Sequence, residues 1–104
     1  MNFEAVEKDV ISWHYARNLI EGSSDIQQFE GKLLEEVEEL RMELQFAQSP
    51  VDSIGDIMVV LCNIVTRNGL TLTECFSHAY GDIEHRKGRM ENGVFVKELV
   101  DQSK

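Results

Sequence analysis

Between Pro50 and Asn68 the chain carries Ile54, Ile57, Met58, Val59, Val60, Leu61, Ile64 and Val65 on a stretch without proline. Wound at about 100° per residue, these side chains cover the whole circumference of a helix. Such a helix has to be covered on more than one side, so the rest of the chain must wrap around it. Only Asp56 and Asn63 interrupt the apolar surface from 54 to 65 with strongly polar groups. They fall two turns apart on one side, and Asp52 lies one turn before Asp56.

The flanking sequence supplies the wrapping helices. Phe3, Val6, Val10, Trp13, Arg17 and Ile20 recur at alternating spacings of three and four, predicting a first helix over about Phe3 to Ile20. Gly22 is placed to take the left-handed position that ends it, and Ser23, Ser24 or Asp25 to cap the next helix. That second helix is expected over about Ile26 to Ala47, with Ile26, Phe29, Leu33, Val37, Leu40 and Leu44 as its core stripe. Pro50 suits the first turn of the third helix, Val51 to Arg67, which Asn68-Gly69 stops. "TLTE" opens a fourth with Thr71 and Glu74 as a capping box, and this helix frays near Gly88. "NGVFVKELV" then reads as a turn followed by an apolar tail that docks on this subunit or a neighbour. The expected fold class is all-α: one four-helix bundle-like domain over residues 1–104.

Composition narrows what such a domain binds. A net charge of -9 opposes binding a nucleic-acid polymer, yet leaves a free nucleotide open if a divalent metal inverts the local field. Cys62 and Cys75 sit in helical patterns among apolar neighbours and read as buried, reduced thiols, which suits a cytoplasmic protein. "IMVVLC" is too short to span a bilayer, so no membrane partner is expected. No signal peptide is visible at the acidic N-terminus.

Chemistry concentrates in "EEVEEL", Glu35 to Leu40. On a helical wheel with Leu33 at zero, Glu36, Glu39 and Glu43 sit at roughly 240 to 300°, on the shoulder of the core stripe. Glu38 points to solvent and Glu35 lies between. Taken alone, such a run is more often a solvated helix face than a metal site. Asp56 changes the balance, because a carboxylate on a buried helix costs several kcal/mol unless paired or metal-bound. It can pair with Arg17, Lys32 or Arg41, or draw relief from the N-terminal end of its helix. If instead helices two and three form an antiparallel hairpin, Glu36, Glu39, Asp52 and Asp56 converge. Oxygen-only ligands of this kind select Mg²⁺, with Mn²⁺ as the alternative.

"KLLEEVEEL" followed by "SIGDIMVVLCNIV" resembles the MazG-like nucleotide pyrophosphohydrolases of the all-α nucleoside triphosphate pyrophosphatase group. Their pattern is EExxE on one helix and ExxD on the next, with an Asn seven residues after that Asp. Glu35, Glu36 and Glu39 match the first half, and Asp56 with Asn63 the second. "AYGDIEHRKGRMENGVFVKE" also resembles small phage and bacterial members. The glutamate of ExxD is replaced by Ser53. Asp52 could supply that carboxylate, or Ser53 could leave a water in the metal shell.

The resemblance implies Mg²⁺-dependent hydrolysis of a nucleoside triphosphate to monophosphate and pyrophosphate, as nucleotide-pool housecleaning. It implies Glu36, Glu39 and Asp56 as ligands and Glu35 or Glu39 as the carboxylate that orients the attacking water. Asn63 would bond the sugar or a ligand, and Trp13, with Arg17 one turn on, would stack on the base. Lys32, Arg86 and Lys87 are candidates for the polyphosphate, each also readable as an ordinary surface cation. The carboxylate–His spacing of Asp82 and His85 occurs once, too few for a di-iron bundle. The apolar third helix predicts a homodimer or homotetramer. A non-catalytic nucleotide or metal sensor and a structural oligomerisation bundle are the alternatives.

Overall fold

Asn2 opens the first helix: its Oδ1 accepts from the Ala5 N–H at 2.8 Å, at the N-terminus of α1 (Phe3–Ala16). The computed structural model describes residues 1–98 and is mostly helical with one small two-stranded sheet. α1 ends at Ala16, short of the expected Ile20, because Asn18 rather than Gly22 takes the left-handed position, at φ 57°. The Leu19 N–H reaches the His14 carbonyl at 3.0 Å and the Asn18 N–H that of Tyr15 at 3.1 Å, a Schellman closure. Gly22 serves a different need, since a Cβ there would run into the Asn18 carbonyl.

The single second helix expected over 26–47 is divided. Ser24 caps α2 (Asp25–Gln28), a π-turn segment follows over Phe29–Leu33, and α3 runs over Leu34–Gln45. A π-turn adds a residue to one turn, so an apolar stripe read through it at 3.6 residues per turn loses phase. α3 closes through Ala47 at φ 54°, with the Gln48 N–H on the Glu43 carbonyl at 2.8 Å.

α4 (Val51–Arg67) follows Pro50 and ends at Asn68-Gly69, with Gly69 at φ 72°. It is the hub of the helical unit, packing against α1, α2, the π-turn and α3. Arg67 at its last turn donates to the Leu19 and Ile20 carbonyls and pairs with Asp25 at 3.0 Å, tying down the loop after α1. α5 (Leu72–Ile83) starts as the capping motif predicts, Thr71 Oγ1 accepting from the Glu74 N–H at 3.0 Å. It stops at Ile83 rather than near Gly88.

The chain divides into two compact units, Met1–Glu74 and a second from Cys75 onward. In the second unit the expected tail is a β-hairpin, β1 (Gly88–Glu91) paired antiparallel with β2 (Val94–Lys97). Asn92 and Gly93, at φ 51° and 80°, make the two-residue left-handed turn that strand twist favours. Gly88 leaves room for the Phe95 ring and the Val96 carbonyl. The expected apolar positions Leu99 and Val100 lie outside the described residues.

The interior is more polar than the periodicity suggests. Among the described residues the buried apolar side chains are Ile20, Val60 and Cys62, whereas Glu7, His14, Glu36, Ser53 and Asn63 are buried polar ones. Cys75, expected to be buried, is exposed on α5. On α1 the inward positions are Glu7 and His14; the predicted stripe residues Phe3, Val6 and Trp13 are exposed. On α3 the side facing inward holds Glu36, with Leu40 and Glu43 half-buried, as is Leu33 just before it, while Val37 and Leu44 are exposed. Both faces are rotated away from the greasiest stripe. On α4, Ile54 is also exposed, so the helix expected to be covered all round is covered only in part.

Candidate metal centre

α3 and α4 run antiparallel across the short Phe46–Pro50 connection, which sets residues late in α3 beside residues early in α4. Glu36 and Glu39 from α3 and Asp56 from α4 each offer a carboxylate oxygen within 4.8 Å of the other two. Glu36 is buried at 6% exposure, while Glu39 and Asp56 open to solvent. Lys32, one turn before Glu36, approaches Glu36 Oε1 at 3.7 Å from an exposed position. The other oxygen, Glu36 Oε2, is buried without a hydrogen-bond partner.

Electrostatics mark the same spot. Burial first, and then the neighbouring Glu39 and Asp56 charges, raise the Glu36 carboxyl above its ordinary value. Asp56 makes no ion pair among the described residues: Arg41 is committed to Glu38 at 2.6 Å, and Lys32 to Glu36. The pairing of Asp56 with Arg17, Lys32 or Arg41 is therefore not what this fold uses. A buried carboxylate with one orphaned oxygen, grouped with two further carboxylates, fits a hard divalent cation, which would cancel the repulsion among them. The donor set is all oxygen, the chemistry of Mg²⁺ or Mn²⁺ rather than of a thiophilic metal.

The other predicted site residues are not members of this carboxylate triad. Asp52 is exposed and lies outside the triad; it borders, with Asp56, an apolar groove of about 500 Å³ between α1 and α4. Val6, Val10, Met58, Val59 and Leu72 line that groove. Glu35 is exposed on α3. Trp13 is half-exposed, with the Arg17 guanidinium 4.4 Å from the centre of its ring, so one face of the indole is already occupied. Arg86 and Lys87 are exposed and belong to the second unit, just before the hairpin.

Asn63 is fully buried and its amide is engaged inside the fold. Its Nδ2 donates to the Leu19 carbonyl at 2.9 Å and to His14 Nδ1 at 3.3 Å. His14 Nε2 in turn donates to the Val59 carbonyl at 2.9 Å. Asn63 thus ties α4 to α1 and the loop after it through its Nδ2, while its Oδ1 is buried without a hydrogen-bond partner among the described residues.

Two polar pairs escaped the sequence reading. Ser53 Oγ, on α4, donates to Glu43 Oε1 of α3 at 2.7 Å, and Glu43 Oε2 is buried without a partner. Glu43 shares its wheel sector with Glu36, which was the available signal. Glu7 accepts from the Leu72 N–H, from the Thr73 N–H at 3.2 Å and from Thr73 Oγ1 at 2.7 Å, capping α5 from α1. Nothing in local sequence links residues 65 positions apart.

No helix among the described residues is long and apolar enough to cross a membrane. No family model matches the chain, and neither does a curated protein or a solved structure.

Proposed function

We propose that this chain is a Mg²⁺-dependent nucleoside triphosphate pyrophosphohydrolase of the MazG-like kind, acting on nucleotides in a cytoplasmic pool. The observation that carries the reading is the meeting of Glu36, Glu39 and Asp56 from two antiparallel helices, one oxygen of Glu36 being buried and unpartnered. Sequence supports it too, through the EExxE spacing on one helix and Asp56 on the next.

A bound Mg²⁺ supplies charge neutralisation and Lewis acidity toward a polyphosphate. Glu36, Glu39 and Asp56 would hold it. The exposed sides of Glu39 and Asp56 leave the site open to a ligand from solvent. Lys32, which now approaches Glu36 from an exposed position, would be free to pair with a phosphate oxygen. Glu35 or Glu39 orients a water toward the α-phosphorus. The water oxygen bonds to that phosphorus, the bond to the bridging oxygen breaks, and pyrophosphate leaves while the carboxylate takes the proton. The half-exposed Trp13 offers its free face to a base.

Exposed apolar side chains support a homodimer or homotetramer as the working form. Phe29, Val37, Leu44 and Ile54 are all exposed on the helices that carry or adjoin the carboxylates. So few buried apolar residues offset little of the conformational entropy lost on folding, and a second copy would cover the rest.

Pyrophosphate release from a panel of ribo- and deoxynucleoside triphosphates with Mg²⁺ tests the reading. Release that disappears in Asp56→Asn supports it; an inert wild type that still binds nucleotide would instead make the chain a sensor.

A further inference from the structure

Glu43 and Ser53 form the next rung of the α3–α4 ladder beyond the carboxylate triad. Glu43 lies one turn after Glu39 on α3, and Ser53 nearly one turn before Asp56 on the antiparallel α4. One turn advances about 5.4 Å, so this rung sits about that far along the helix axes from the triad. Ser53 is 1% exposed, and its hydroxyl points one oxygen of Glu43 into the helix pair at 2.7 Å. The other oxygen, Glu43 Oε2, is buried and has no partner among the described residues, as is true of Glu36 Oε2.

An ionised carboxylate with one oxygen buried and unsatisfied costs free energy unless something donates to it. No arginine or lysine pairs with Glu43 among the described residues. A cation at the triad would bring donors within reach. Mg²⁺ and Mn²⁺ keep several waters, with metal–oxygen distances of about 2.1 Å, and a charge-assisted hydrogen bond from such a water adds about 2.6 Å. The sum, about 4.7 Å, approaches the one-turn offset between the two rungs.

We infer that Glu43, held in place by Ser53, is a positioning residue that accepts a hydrogen bond from the hydration shell of the divalent cation bound at Glu36, Glu39 and Asp56. The inference rests on the cation reading of that triad. It also gives position 53 a role: a serine there orients a carboxylate from the opposite helix instead of contributing its own. Asp52 is exposed and is not one of the three triad carboxylates.

Calorimetric titration of the full chain with Mn²⁺ alone, without nucleotide, tests it on wild type, Glu43→Gln, Ser53→Ala and the control Glu38→Gln. The side-chain amide of Glu43→Gln keeps the Ser53 contact, so the fold is retained while the acceptor charge is lost. Loss of an outer-shell partner weakens metal binding by about 10–100-fold, which is the change expected for Glu43→Gln. Ser53→Ala gives a smaller loss, and Glu38→Gln, equal in charge change but solvent-facing, stays at the wild-type value. At saturating Mn²⁺ the electron paramagnetic spectrum shifts in Glu43→Gln and not in Glu38→Gln, which a purely structural role would not produce. Wild-type binding with an unchanged Glu43→Gln affinity and spectrum overturns this inference alone. A wild type that takes up no Mn²⁺ overturns it together with the cation reading.

Discussion

Asn63 and His14 meet 49 residues apart in the chain, the Asn63 amide donating to Nδ1 of a histidine that is itself 2% exposed. The same amide satisfies the Leu19 carbonyl, so one side chain closes the α4–α1 contact and the loop beyond it. Asn63→Ala would leave His14 Nδ1 buried without its donor, while the Leu19 carbonyl keeps the hydrogen bond from Arg67. A loss of about 2 kcal/mol is expected from the unsatisfied buried group. For a domain this size that lowers the melting temperature by roughly 8–16 °C. Chemical denaturation of the variant should show a lower midpoint at unchanged slope; a midpoint within error of wild type would contradict the role given to Asn63.

Glu7 binds the start of α5 through its first backbone N–H groups, an anion at the positive end of a helix. Glu7→Gln keeps the shape and removes the charge, for a cost of about 1 kcal/mol. Amide exchange gives the local readout. Leu72 and Thr73 should lose protection first, ahead of α4, and equal loss across all helices would count against a local cap.

Two carboxyls give opposite pH limbs in the absence of metal. Glu36 is raised above 4.5, so the folded chain binds its proton more tightly than the unfolded one. Stability therefore rises as pH falls through the folded value, and the gain is complete below 4.5. Asp25 is held below 3.8 by the Asn68 hydrogen bond and then by Arg67, so its contribution is present above 3.8 and lost as pH falls through the lower folded value. Melting temperature against pH should show a rise on acidification that Glu36→Gln removes, and a fall at lower pH that Asp25→Asn removes. With Mg²⁺ present the upper limb reverses, because protons and the cation compete for Glu36.

Val37 and Leu44 lie on an exposed apolar face of α3, and Ile54 is exposed on α4. Sedimentation equilibrium is expected to find a dimer or tetramer, and Val37→Lys to shift it toward monomer by more than about tenfold in dissociation constant. A wild type that stays monomeric at high micromolar concentration would remove the oligomer from the proposal.

The helical character was legible because α4 and the apolar runs beside it repeat at helical spacing. Capping signals were legible where side chain and geometry coincide, as at Thr71, Ser24 and Gly69. Helix ends closed by Asn18 and Ala47 were not, since neither residue type demands a left-handed backbone. The π-turn at Phe29–Leu33 has no compositional mark, and it shifted the phase of the second stripe. Of the hairpin only the turn is legible, through Asn92-Gly93, because the charged residues around β1 suit a helix end equally well. At the candidate site, Glu36, Glu39 and Asp56 were visible through spacing and burial logic. Ser53 with Glu43 was not, because a hydrogen bond between helices depends on their register, which periodicity does not encode.

Melting temperature as a function of Mg²⁺ concentration, on wild type and Asp56→Asn, tests most directly whether the α3 and α4 carboxylates hold a divalent cation. Wild type should rise continuously with Mg²⁺, by about 2.7 kcal/mol of added stability at a hundredfold excess over the dissociation constant, while Asp56→Asn stays flat. A wild type that does not respond, or an Asp56→Asn that rises equally, would contradict the account.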